Sequence, residues 1–253
     1  MNLLVDIGNT RCKVAVGDSR GAITQVGVAD RLDRALVEEL LQRYSVRAAI
    51  LSSTRGESAE EVALLREKGL PTLTLGPSTP LPIGIDYRTP ETLGRDRVAA
   101  AVGAVVRYPG RNCLVVDLGT ALTLDLVTSD GVFRGGAISL GYSNRLRALN
   151  EYTATLPLCE PLTAEETPFP LQGHTTREAI EWGVFHSVCF EIEGYRRCLE
   201  ADFADLCVIV TGGEAKYFEK RIKNAIFAEP NLVFCGLNRI LEYNLAQHAT
   251  AQK

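Results

Sequence analysis

The chain opens on an apolar run, Leu3-Leu4-Val5, and returns on a second, Val14-Ala15-Val16. Runs that are apolar at every position predict strands buried on both faces. Between them Asp6-Ile7-Gly8-Asn9-Thr10 predicts a tight turn, with Gly8 taking unusual dihedrals and leaving N–H groups free for a ligand. The pattern returns at Leu114-Val115-Val116, followed by Asp117-Leu118-Gly119-Thr120 and a returning strand over Leu122 to Val127. A third run, Val208-Ile209-Val210, ends at Thr211-Gly212-Gly213 ahead of Ala215 to Phe218, which reads as helical. Three strand-then-glycine turns in one chain suggest a nucleotide held between two related lobes.

Helical and extended periods alternate between these turns. Leu32, Leu36, Leu40 and Leu41 mark a helix over Leu32 to Tyr44, and Ala48 to Leu51 a strand with a polar end at Ser52-Ser53-Thr54. Ser58 to Gly69 reads as a helix closed by its glycine, and Thr72 to Leu75 as a strand. Gly76 to Pro90 carries Pro77, Pro80, Pro82 and Pro90, which predicts a loop without regular elements. Val98 to Val106 is an apolar helix ended by Tyr108-Pro109-Gly110, which places a boundary between lobes 1–110 and 111–253. In the second lobe Gly131 reads as a hairpin turn, and Gly135-Gly136 opens a glycine-rich segment ending at Gly141. Ser143 to Tyr152, Thr176 to Leu199, Phe218 to Ile226 and Leu237 to Leu245 read as helices, with Thr176 as an N-cap. Leu158 to Gly173 reads as a Pro-containing loop and the last residues as a polar tail. Strands alternating with helices predict an α/β fold, its sheets covered by helices.

Composition narrows the function. A net charge of -4 and the lack of a basic stripe argue against a nucleic-acid binder. No run of eighteen apolar residues predicts a membrane span, and the strand at the N-terminus leaves no basic segment or cleavage site for a secretory signal. The expected location is the cytoplasm. The seven cysteines form no C-x-x-C pair and read as buried free thiols, and the three histidines lack metal-ligand spacing.

The chemistry points to phosphate. Asp6 offers a carboxylate for a hydrated cation, while Thr10, the turn amides and Lys13 offer partners for phosphate oxygens. No P-loop and no dinucleotide fingerprint is present, so phosphate is bound by another route. Asp6 and Asp117 each end a buried strand two residues before a glycine; singly they read as turn formers, jointly as two sides of one cleft. Asp96, between Arg95 and Arg97, reads equally as a helix-start carboxylate or as a general base flanked by guanidinium forks for an anionic substrate. Tyr87 reads as packing or binding. Trp182 reads as core.

Taken together, Asp6-x-Gly8-Asn9-Thr10-x-x-Lys13, Gly94-x-Asp96-Arg97, Asp117-x-Gly119-Thr120, Gly135-Gly136, Thr153-Ala154-x-Leu156-Pro157 and Thr211-Gly212-Gly213 resemble type III pantothenate kinase, in order and over nearly the whole chain. The resemblance implies an actin/hexokinase-like fold of two ribonuclease-H-like lobes with mixed sheets flanked by helices, and a homodimer with the pantothenate site near the subunit interface. It implies ATP-dependent phosphorylation of the primary hydroxyl of pantothenate, the first step towards coenzyme A. It assigns Asp6, Gly8, Asn9, Thr10 and Lys13 to the first phosphate turn, with Mg2+ at Asp6. It assigns Thr120 to ATP, and Asp117 to a monovalent cation, K+ or NH4+. Asp96 becomes the proton acceptor, and Tyr87, Gly94, Arg95, Asp96, Arg97 and Thr176 line the substrate site.

Three positions depart from that pattern: Arg95 for a small residue, Thr175 for the asparagine before Thr176, and Leu140 for the proline before Gly141. The alternatives are another kinase of the same superfamily, or a nucleotide-sensing regulator without turnover. Retention of Asp96 and Lys13 counts against the regulator.

Overall fold

A computed structural model describes residues 1–56, 58–162, 170–218, 221–222, 226–227 and 229–251. The chain divides into two compact units. Unit 1 holds Met1–Gly110, Ser129–Arg134 and the chain from Asn231 on; unit 2 holds Arg111–Thr128 and Gly135–Pro230.

Unit 1 begins with β1 (Asn2–Ile7), β2 (Cys12–Gly17) and β3 (Ile23–Ala29), an antiparallel meander in which Asp6 faces Lys13. Helix α1 (Arg34–Arg43) starts on an Asp33 cap whose side chain accepts from the Leu36 N–H. It leads to β4 (Ala48–Ser53), parallel to β1, and α2 (Ala59–Glu67) leads to β5 (Thr72–Thr74). The sheet order is β3-β2-β1-β4-β5. Alternation along β1 explains its unbroken apolar run. Leu3, Val5 and Ile7 pack with Val37, Leu40 and Leu65 of α1 and α2, while Leu4 packs on the other face with Ala99, Val102 and Leu237. A two-residue strand, β6 (Gly84–Ile85), then lies inside the segment expected to be pure loop. Helix α3 (Arg95–Arg107) follows; it starts three residues earlier than its apolar run because polar Arg95, Asp96 and Arg97 form its first turn.

Unit 2 is built on β7 (Cys113–Leu118) and β8 (Ala121–Val127), antiparallel neighbours. The glycine-rich segment forms most of a long strand, β9 (Val132–Leu140), whose first residues belong to unit 1 and pair there with β6. Then come α4 (Tyr142–Glu151), α5 (Thr176–Glu200) and β10 (Cys207–Thr211), parallel to β7. A single 3-10 turn over Ala215–Tyr217 follows, and Ile226 lies in an edge strand, β11 (Ile226–Phe227). Of the helix expected over Phe218 to Ile226, the described residues are turn or bend at Phe218, Arg221 and Ile222 and strand at Ile226; 219–220 and 223–225 lie outside the described residues. So do 163–169 of the expected Pro-containing loop. One apolar cluster gathers Leu114, Val116, Leu124, Val208 and Val210 under Leu146, Val184, Phe185 and Val188, with Trp182 packed against it as expected.

The chain returns to unit 1 as α6 (Leu232–Ala251), five residues longer at its start than the expected helix and continuous through most of the expected tail; 252–253 lie outside the described residues. Glycines let α3 and α6 cross closely. A Cβ on Gly236 would lie 1.8 Å from the Ala99 carbonyl oxygen, and one on Gly103 2.2 Å from that of Leu232. No helix among the described residues is long and apolar enough to cross a membrane. The described cysteines are free thiols.

Candidate active site

Three strands of unit 1 bring polar side chains into one row. In the sheet register Asp6 of β1 lies opposite Lys13 of β2 and beside Ser52 of β4. Alternation puts all three on the face that carries Leu4, Ala15, Ala48 and Ile50, the face packed against α3 and α6. The row continues that apolar stripe at its end. Asp6 is 8% exposed, and its Oδ1 makes no hydrogen bond. Burial pushes its carboxyl up to about 6; the Lys13 ammonium pulls it back, and the charge on Asp96 adds to the rise. Ser52 is fully buried, and its Oγ has no partner either. Read locally, Ser52 is only a polar strand end. Its place beside Asp6 follows from pairing β1 with β4, which local sequence does not carry.

Asp96 enters from the first turn of α3. Its Oδ1 accepts the Arg97 backbone N–H at 2.8 Å. Gly94 at the cap position leaves room for that carboxylate, since a Cβ there would stand 2.6 Å from Asp96 Oδ1. The two arginines beside it behave differently. Arg95 folds back, its Nη2 donating to the Glu91 carbonyl at 2.8 Å and to that of Pro90 at 3.3 Å; burial lowers its pKa. Arg97 is buried, its guanidinium 5.9 Å from the Tyr87 ring centre and 5.7 Å from that of Phe133. The two rings stand 6.0 Å apart. Phe133 was not among the expected site residues; it reaches Tyr87 because β6 pairs with the first residues of β9.

The turn after β1 differs from expectation in one respect. Gly8 does not take a left-handed conformation, and its N–H is spent on the Arg11 carbonyl at 3.0 Å. Asn9 and Thr10 are exposed, and the Asn9 carbonyl accepts from Arg55 Nε at 3.2 Å.

Unit 2 repeats the design. Asp117 is next to last in β7, opposite Thr123 of β8 and beside Thr211 of β10. Gly212 has φ +95°, and a Cβ on it would lie 2.5 Å from Asp117 Oδ1 and 2.3 Å from the Leu118 carbonyl oxygen. Only glycine fits there. Thr120 is exposed, and its carbonyl accepts from the Gly141 N–H at 3.1 Å and from Asn144 Nδ2 at 2.9 Å. Thr176 is exposed at the first position of α5. It is not the cap. Thr175 is, its hydroxyl accepting the Glu178 N–H at 3.2 Å while the Glu178 carboxylate accepts the Thr175 N–H at 3.1 Å.

Comparison with known proteins puts this geometry in a family. The family model for type III pantothenate kinase matches residues 2–197. The chain is 40% identical to a type III pantothenate kinase of Bacteroides fragilis over 244 residues, covering 96% of this chain and 98% of that one. It is 40% identical to one of Cytophaga hutchinsonii over 249 residues, covering 97% and 100%. Among solved structures, component A of the Acidaminococcus fermentans (R)-2-hydroxyglutaryl-CoA dehydratase aligns at a TM-score of 0.53 with 12% identity, covering 96% of both chains. That likeness concerns the fold, which is actin/hexokinase-like. The chain belongs to the type III pantothenate kinase family, the ATP-dependent kinases that phosphorylate pantothenate in coenzyme A biosynthesis.

Proposed function

We propose that Asp96 accepts the proton of the pantothenate primary hydroxyl as that oxygen attacks the γ-phosphorus of ATP. The observation that carries this is the position of Asp96: first turn of α3, with its charge acting on Asp6 in the Lys13–Asp6–Ser52 row. Phosphoryl transfer is chiefly positioning and charge neutralisation. Lys13 offsets phosphate charge, and the Asp6–Thr10 turn, with Gly8 and Asn9, cradles it. Tyr87, Gly94 and Arg97 line the pantothenate side together with Thr176, and Thr120 contacts ATP.

Asp6 suits a hydrated Mg2+: a buried carboxylate whose Oδ1 has no protein partner. Among the described residues no three His, Cys, Asp or Glu side chains cluster as a metal cage. Sparse protein ligation fits Mg2+, which keeps waters and shares phosphates with one or two carboxylates. When bound, Mg2+ neutralises charge on the transferring phosphoryl group. We assign K+ or NH4+ to Asp117, the strand-end carboxylate of unit 2 in the place that Asp6 holds in unit 1. We also infer a lobe boundary at Gly110, a cytoplasmic location and a homodimer. Exposed Ile138, Leu140, Phe190 and Tyr195 support the homodimer.

The test is ADP release from the purified protein with Mg-ATP and pantothenate. Asp96→Asn should lower turnover by roughly two to four orders of magnitude. Near-normal turnover in that variant would rule Asp96 out as the proton acceptor.

A further inference from the structure

Ser52 is the one member of the polar row to which the proposed reaction gives no task. Its hydroxyl is fully buried and unpartnered, and so is the Oδ1 of Asp6, its in-register neighbour on the adjacent parallel strand. Two orphaned polar atoms side by side are a costly arrangement, since a buried group that makes no hydrogen bond forfeits its hydration. Packing does not require it. Ala48 and Ile50 fill the same face of β4 with apolar groups, and alanine occupies nearly the space of serine.

Asp6 Oδ1 and Ser52 Oγ make no direct hydrogen bond, although register and alternation put them on one face of adjacent strands. Polar groups on one face that do not bond each other directly are commonly bridged by a water molecule. A water bound to a divalent cation has two acidic hydrogens to donate. A carboxylate oxygen and a hydroxyl oxygen can accept one each. We infer that Ser52 and Asp6 together hold one water of the divalent cation's coordination shell, making Ser52 a positioning residue for that cation. This rests on the assignment of the cation to Asp6.

The experiment is a Mn2+ titration of the full chain with a non-hydrolysable ATP analogue at saturation, followed by electron paramagnetic resonance. Melting temperatures are measured in parallel without any divalent cation. Outer-shell partners of bound metals typically account for 10- to 100-fold in affinity. Ser52→Ala should therefore weaken Mn2+ binding about tenfold, while its melting temperature in cation-free buffer stays level or rises. Ser53→Ala, on the opposite face, should leave Mn2+ binding as it is. Unchanged Mn2+ affinity in Ser52→Ala would overturn the inference, and so would a lowered melting temperature without cation, because the hydroxyl would then be a structural partner. Asp6→Asn separates the two levels of argument. If it binds Mn2+ normally, the cation assignment itself fails; if it loses Mn2+ while Ser52→Ala does not, only the role of Ser52 fails.

Discussion

Asp6 makes the folded protein sensitive to pH in an unusual direction. The unfolded chain releases its proton near 3.8, whereas the folded chain holds it to about pH 6 because burial outweighs the help from Lys13. Between those values the folded state binds more protons than the unfolded one, so this group removes stability as pH rises through the window and keeps it low above. At about 1.4 kcal/mol per pKa unit the full effect is roughly 3 kcal/mol. Asp6→Asn keeps the size and removes the charge. In metal-free buffer its melting temperature should exceed that of the parent by several degrees at pH 7 to 8, with the gap closing towards pH 4. A gap that does not change with pH would mean that the Asp6 charge is not what burial penalises. The residue itself was legible: a carboxylate ending an apolar run ahead of a glycine stands out in sequence. Its neighbours were legible in unequal measure. Lys13 lies seven residues on, across a hairpin, whereas Ser52 arrives through a parallel crossover, and Phe133 through β9.

At the scale of elements, the crossing of α3 and α6 fixes the helix that carries Asp96. Gly103 and Gly236 meet backbone, not flexible side chains, so neither site can yield by a rotamer change. Gly236→Ala should destabilise unit 1 by about 1–3 kcal/mol, the usual range for overpacking, and should lower turnover by displacing α3. Urea unfolding and the ADP-release assay check both; a variant with unchanged unfolding midpoint would show that the helices separate freely. The sequence reading starts the last helix at Leu237, after Gly236, whereas α6 runs through that glycine; a glycine inside a helix costs propensity, and the close crossing offsets it. Strand β3 escaped notice for a related reason. Thr24, Gln25 and Gly27 interrupt its apolar pattern, and pairing with β2 sustains it instead. The Arg95 guanidinium is a third tertiary effect. A cation in the first turn opposes the helix dipole, and here its charge is turned back onto the Pro90 and Glu91 carbonyls.

Over the whole molecule, the two sheets carry one design twice. The order β3-β2-β1-β4-β5 corresponds strand for strand to β9-β8-β7-β10-β11, and Asp6 corresponds to Asp117. This duplication was legible from the repeated run-Asp-x-Gly pattern; the exchange of chain segments between the units was not, because it depends on long-range pairing. The copies have diverged at one telling place. Asp6 faces a lysine across its hairpin and Asp117 a threonine. Asp117→Asn should abolish stimulation by K+ in the ADP-release assay, leaving equal low rates in K+ and Na+. Persisting K+ stimulation would move that ion elsewhere.

The α3–α6 crossing also has a consequence for how the protein is made. Leu4 and Ala15 leave the ribosome early, yet Phe234, Leu237 and Ile240, which help to bury them, follow only after all of unit 2. At typical elongation rates of 5–20 residues per second, the interval between α3 and α6 is roughly 6 to 25 s. Until α6 emerges that face of the first sheet has α3 but not α6 to cover it, whereas unit 2 has all its residues once Pro230 has been made. Chaperone capture of the growing chain, if it occurs, has its natural target there.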